Sequence, residues 1–469
     1  MEATLAQSNE FYGYHSEWNL GSPGGWDYQR ITQEIGQAVW KQIEKKVHLD
    51  LSLDFNHPYL HPVNGFSDML VSSHFRKKGK VIAVVAEEET LDSVVENKNL
   101  ANRLNKIKGV KSVLIAPHHL EMVKDQVCYQ NEPVSIVFMD FNTDVLLKLH
   151  RKHNLTPLLK AVRDNRVINP RGTEPINVKS MFEVITDRNS NSSFFSETIK
   201  RTPWTRRFFQ RSTENVDGEQ IKDLIEWTRQ NWDNLVLKPE RGYSGIGVQV
   251  GGVHNDADAA IELALSGKYG PYIVQQKVPL PLWAEIIPEL DSDHNVLKAI
   301  EYQTDFRCLF NHNGLLGFLC RYGHVPTNVG SGGGVQPLAV LRSDMSIREA
   351  TLRINDALLN MNIDDATDAL RIQKFMSLDK EFTYLLGPIK MALRPRLITL
   401  EQMDALERYC RKIWKDCLIL EKMWYEGALD HIISIEPEEL KIARSQPWKG
   451  SAAIIASDGI FSFGAHKPH

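Results

Sequence analysis

The sequence predicts an α/β fold, α+β when taken over the whole chain. Three observations carry that expectation. Between Lys80 and Gly172, short apolar runs alternate with helix-forming stretches, the pattern of a parallel sheet covered on both faces. Between Asn234 and Gly252, "NLVLKPERGYSGIGVQVGG" sets a glycine-rich loop between two apolar runs. Beyond Thr399, apolar residues recur at helical spacing.

Taken in order, residues 1–78 are aromatic and rich in turn formers, and no fold is read for them beyond a helix near 30–46. Residues 79–175 form the parallel, doubly wound unit. "KVIAVVAEEE", "KSVLIAP" and "VSIVFMDF" are strands, and "ENKNLANRLNKI", "VLLKLHRKH" and "PLLKAVRD" are helices. Residues 176–343 follow. Here "DRNSNSSFFS" reads as a loop, "GEQIKDLIEWTRQNW" as a helix and "GPYIVQQKV" as a strand. Asn313-Gly314 marks a hairpin turn. Residues 344–445 are largely helical. Thr399 and Gln402 form a capping box, and Met403, Leu406, Cys410, Ile413, Trp414, Cys417, Leu420 and Trp424 make a core stripe. Residues 446–469 end in "GSAAIIASDGIFSFG", which reads as a hairpin turning at Asp458-Gly459.

The totals exclude several classes. The 469 residues are 42% apolar and 24% charged, ordinary for globular domains with real cores. A net charge of −4 offers no broad cationic field to nucleic acid. Five cysteines without a CxxC pair argue against a disulfide framework or zinc site, so a cytoplasmic setting is expected. The first residues lack the basic start and apolar core of a secretory leader, and no apolar run is long enough to span a bilayer. His57 and His61 stand four apart, but Pro58 and Pro62 argue against a metal-binding helix. "KRTPWTRRFFQR" mixes basic and aromatic residues and reads as a solvated loop or the edge of a ligand site.

The chemistry concentrates after residue 234. The glycine loop lacks the GxxxxGK[ST] of a Walker A loop, and its GxxGxG order is not the Rossmann fingerprint. The sequence after it alternates like a strand, so the segment is a hairpin. Pro239 ends its first strand, and Gly242, Gly245 and Gly247 let the backbone fold over a ligand with its N–H groups toward phosphate. Lys238 supplies a charge beside that lid. Gln275 and Gln276 lie where strand backbone could meet an adenine. Further on, Asp305 and Arg307 share a strand face, Arg321 lies on the return strand, and Asn328 and Gly332-Gly333-Gly334 follow in a loop. Arginines, an acid, an amide and bare backbone suit polyphosphate, Mg²⁺ and a carboxylate.

Together these segments resemble the ATP-grasp superfamily, in the branch of glutathionylspermidine synthetase and circularly permuted ATP-grasp proteins. The resemblance covers about residues 80–340 and rests on "VINPRGTEPINVKSMFEVIT", "VLKPERGYSGIGV", "YIVQQKV", "DFR", Arg321 and "TNVGSGGG". It implies a Rossmann-like pre-ATP-grasp domain, then an ATP-grasp fold interrupted by the helical segment and completed by the C-terminal strands. It implies a ligase that uses ATP and Mg²⁺ to join a carboxylate to an amine, such as amino acids or peptides, through an acyl phosphate. Lys179, Lys238, Glu240, Gly242, Ser244, Gly245, Gly247, Gln275, Gln276 and Val278 would then hold the nucleotide. Arg307 and Arg321 would hold the transferring phosphate or the acid, and Asp305 and Asn328 the metal. One departure stands out: the family's E-x-N metal motif does not occur after residue 300, where Glu301 is a poor substitute. A nucleotide-binding protein without catalysis, or a phosphotransferase, is therefore the alternative.

Overall fold

The structure is a computed structural model. It describes residues 12–462 except 243–244, 255, 279–283, 292, 294–295, 325–326, 328, 385–386 and 447–454. Two of the expected site residues, Ser244 and Asn328, lie outside the described residues.

The chain opens on strand β1 (Tyr12–Asn19), followed by helices Trp26–Val47 and Pro62–Arg76. A parallel unit then forms from β2 (Val81–Val85), β3 (Lys111–Ile115), β4 (Glu132–Met139) and β5 (Val167–Ile168), in the spatial order β3-β2-β4-β5. Alternate side chains leave its two faces. Ile82, Val84, Ile136 and Phe138 pack with Phe66, Leu70, Leu100 and Leu104 of helices Pro62–Arg76 and Val95–Asn105. Ala83, Val85, Val137 and Met139 pack with Leu146, Leu158 and Val162 of helices Thr143–His150 and Thr156–Arg163. A strand with no polar face is what such two-sided burial demands.

A second sheet is antiparallel. It holds β6 (Thr205–Arg207), β7 (Leu235–Pro239), β8 (Gln249–Val250) and β9 (Tyr272–Gln276), in the order β8-β7-β9-β6. The glycine segment is thus a hairpin between β7 and β8, and helix Ala257–Leu265 packs beside it. The basic-aromatic stretch is not a loop: it supplies edge strand β6, with Trp204 buried. The helix expected across 218–232 is shorter, because Asp223 caps its start and accepts from Ile225 and Glu226 N–H.

The large sheet contains β10 (Ala284–Asp291), β11 (Val296–Asn311), β12 (Gly314–Gly323), β13 (Gly334–Val335), β14 (Lys390–Met391) and β15 (Ile455–Ser462). Its order is β1-β15-β11-β12-β13-β14, with β10 also paired to β11. The expected hairpin at Asp458-Gly459 is absent. β15 runs straight through, because Gly459 pairs with His15 on one side and Phe306 on the other. The first and last strands of the described chain are therefore neighbours. The long helix Leu400–Tyr425 opens on the Thr399–Gln402 capping box, and its stripe from Met403 to Trp424 is buried. All five cysteines are free and buried. No described helix is long and apolar enough to cross a membrane.

Candidate functional site

One cavity of about 610 Å³ is lined by residues of the second and large sheets and by residues that follow the strands of the parallel unit. The β7–β8 hairpin closes one side. Pro239 ends the ladder, Gly245 and Gly247 take φ of 73° and 77°, and side-chain-bearing residues resist such angles. A Cβ on Gly247 would stand 2.9 Å from Pro239, Tyr269 and Tyr272, so this glycine is also a packing requirement. Ile246 between them is exposed and lines the cavity.

The expected residues that the structure describes converge here except Glu240 and Gly247, the latter packed against Pro239, Tyr269 and Tyr272. Lys179, Lys238, Gly242, Gly245, Gln275, Gln276 and Val278 all line the cavity, as do Asp305, Arg307 and Arg321. Lys179 Nζ donates to Gly242 O at 3.1 Å and lies 3.3 Å from Glu17 Oε1. Lys238 Nζ donates to Gln275 Oε1 at 2.7 Å, and Gln275 Nε2 donates to Thr205 Oγ1 at 3.0 Å. Val236, Val248, Val250 and Val278 give an apolar slot beside the strand end at Gln276. Glu240 departs the furthest from its expected role. Past Pro239 its carboxylate turns into the core and accepts from Ser180 Oγ, so it does not line the cavity. Its backbone carbonyl accepts from Lys179 N–H at 3.0 Å, which ties the lysine to the hairpin.

Asp305 and Arg321 stand directly opposite on β11 and β12. Arg321 Nε and Nη2 donate to the two Asp305 oxygens at 2.7 and 3.1 Å, and Thr327 Oγ1 donates to Oδ2. Arg307 Nη1 donates to Gly24 O at 3.0 Å.

The sequence reading missed two residues. "SEWN" on β1 contains Glu17-x-Asn19, and both line the cavity. A β-bulge between His15 and Glu17 re-aims the strand, so His15 and Trp18 enter the core while Ser16, Glu17 and Asn19 face the cavity. Glu17 and Arg307 are each paired in register with Asp458 of the strand between them. The E-x-N absent after residue 300 is thus present at the start of the chain. Oxygen donors are what Mg²⁺ takes, and it needs only one or two carboxylates when phosphates and water complete its shell. Glu17, Asn19 and Asp305 fit that demand. Among the described residues no group of three His, Cys, Asp or Glu could cage an ion without such help.

Lys179, Lys238, Lys277, Arg307 and Arg321 line the cavity, and so do the acids Glu17, Glu87, Glu96, Asp140 and Asp305.

No protein-family model and no curated protein matches the chain. Among solved structures, D-alanyl-alanine synthetase A of Vibrio cholerae aligns at 14% identity over 48% of this chain and 67% of its own, with a TM-score of 0.23. The macrocyclase MdnC of Microcystis aeruginosa, bound with precursor peptide MdnA, aligns at 10% identity over 63% of this chain and 83% of its own, with a TM-score of 0.29. Superpositions with TM-scores this low establish neither a shared fold nor a shared activity.

Proposed function

We propose that the chain is an ATP-dependent carboxylate–amine ligase with an ATP-grasp fold, its residues 79–175 acting as a Rossmann-like pre-ATP-grasp domain. The observation that carries the reading is the set of lysines on and beside the glycine hairpin, together with Arg307 and Arg321 of the large sheet, around a cavity large enough for a nucleotide and a second ligand. Lys179 and Lys238 hold the α- and β-phosphates. The hairpin from Gly242 to Gly247 covers them, and Gln276–Val278 meet the adenine. Arg307 and Arg321 hold the acid against the γ-phosphate. Glu17, Asn19 and Asp305 would hold Mg²⁺, which would neutralise phosphate charge there.

The acid's oxygen forms a bond to the γ-phosphorus as the bond to ADP breaks. The amine nitrogen then forms a bond to the acyl carbon, phosphate leaves, and the nitrogen loses a proton. Both steps bring anions together, so cations preorganised in a closed site stabilise them. Glu17 and Asp305 change partners in this scheme. In the structure they pair with Lys179 and Arg321, and bound phosphates would take over those cations and free the carboxylates.

A second reading, a nucleotide-binding protein without catalysis, is favoured by that same pairing, since Asp305 is already held by Arg321 and Thr327. A metabolite screen scored by Mg-ATP-dependent phosphate release separates them. The ligase releases phosphate only when both an acid and an amine are present. ATP that binds but is never turned over leaves the second reading.

A further inference from the structure

The parallel sheet has a switch point. From β2 the chain crosses to β3 on one side, over helix Val95–Asn105, and later returns to β4 on the other side. Crossovers that leave in opposite directions open a crevice outside the carboxyl ends of the two central strands, and α/β sheets bind ligands there. In this chain two acids that follow the central strands line the cavity. Glu87 follows β2, and Asp140 follows β4.

We propose that this crevice is a second subsite, which holds the ammonium group of an organic amine between Glu87, Asp140 and the hydroxyl of Tyr28. The claim rests on the ligase reading only in naming that amine as the co-substrate.

Three observations and the chemistry of ammonium support it. Asp140 accepts from Ser22 Oγ at 2.6 Å and from Asn97 Nδ2, and no lysine or arginine among the described residues bonds it or Glu87. Tyr28 lines the same cavity, is 7% exposed, and its hydroxyl has no hydrogen-bond partner among the described residues. A buried hydroxyl left unpaired is costly unless a ligand supplies the partner. Burial pushes up the proton affinity of all three groups; the charges of Glu89 and then Asp140 add to it at Glu87, with Lys148 opposing, and those of Glu96 and Asp140 add to it at Tyr28, so Asp140 lies within electrostatic reach of both. A primary ammonium carries three N–H donors and no acceptor, so two carboxylates and a hydroxyl oxygen complement it.

The walls argue for an organic cation over a metal ion. The ring of Tyr384 stands edge-on to Tyr28 at 5.7 Å, and Val94 and Val145 line the crevice beside them. Aromatic faces and aliphatic walls suit a cation with a carbon stem. Glu96 is not part of the set. Its two oxygens accept from the N–H groups of Gly25 and Asp27, so it caps helix Trp26–Val47.

The test is saturation-transfer NMR on the full chain with n-butylamine and its neutral analogue n-butanol, with ADP titrated separately. Glu87 makes no side-chain cap bond, so Glu87→Gln leaves the fold intact. Butylamine is expected to contact the wild type and butanol not. Losing one charge-assisted bond predicts about tenfold or greater weakening in Glu87→Gln, with ADP affinity unchanged. Tyr28→Phe should also weaken butylamine. Equal binding of butylamine to wild type, Glu87→Gln and Asp140→Asn overturns the proposal, as does equal binding of butanol or displacement of butylamine by Mn²⁺. ADP that fails to bind while butylamine still depends on Glu87 removes the ligase reading and keeps this subsite. ADP binding without any butylamine contact removes this subsite alone.

Discussion

Lys238→Ala separates a phosphate-binding lysine from a structural one. Its ammonium donates to Gln275 Oε1 at 2.7 Å, and Gln275 is 1% exposed. Truncation therefore has two effects. Losing a charged contact to phosphate, about 1.5–3 kcal/mol, lowers ATP affinity roughly 10- to 150-fold. Leaving the Gln275 oxygen buried without its donor costs about 1–3 kcal/mol of stability. A cycle with Gln275→Leu tells them apart. In Lys238→Ala/Gln275→Leu no orphaned oxygen remains, and Thr205 keeps a bond from its hydroxyl to Pro203 O at 2.8 Å. Stability should largely return, while ATP affinity, measured by calorimetry against the Gln275→Leu single variant, stays low. Affinity that recovers together with stability, or that never fell, would refute the phosphate role.

Two further predictions follow from the packing. Gly247→Ala, with φ at 77° and a Cβ at 2.9 Å from three side chains, should lower stability by about 1–3 kcal/mol in urea unfolding. His15 is buried between Tyr409 and Thr202, and desolvation holds its pKa near 3 with Arg201 adding to the effect. The unfolded chain therefore takes up a proton near pH 6.5 that the folded chain refuses. Stability is full above pH 6.5 and falls as pH drops, by about 2 kcal/mol between pH 6.5 and 5. Urea midpoints measured across that range should flatten in His15→Gln.

The parts of the fold legible in the sequence were those whose signal is local. The unbroken apolar run "VIAVV" and the helical stripe from Met403 to Trp424 announce themselves within a few residues. So does the strand, glycine loop, strand order around Lys238. What was not legible depends on pairings across the whole chain. Asp458-Gly459 has the composition of a turn, yet strands on both sides hold it extended. Glu17 reaches the cavity through β15, which brings β1 within two strands of Arg307 although nearly the whole chain separates the ends. Its E-x-N spacing was visible, but nothing local links residue 17 to residue 305. Glu240 misled for the opposite reason: it adjoins the glycine loop in sequence, but the break at Pro239 turns it toward Ser180.

The central claim is that this cavity binds ATP through a metal held by Glu17, Asn19 and Asp305. Calorimetric titration of ATP in Mg²⁺ and then in EDTA, into wild type, Glu17→Gln and Asp305→Asn, tests it most directly. A carboxylate facing a triphosphate repels it unless a cation lies between them. The account predicts tighter binding with Mg²⁺ in the wild type and a weakened Mg-ATP complex in both variants, with metal-free ATP bound as well as before or better. Wild-type binding indifferent to Mg²⁺, or equal losses in both buffers, would contradict it and leave the two carboxylates as partners of Lys179 and Arg321 alone.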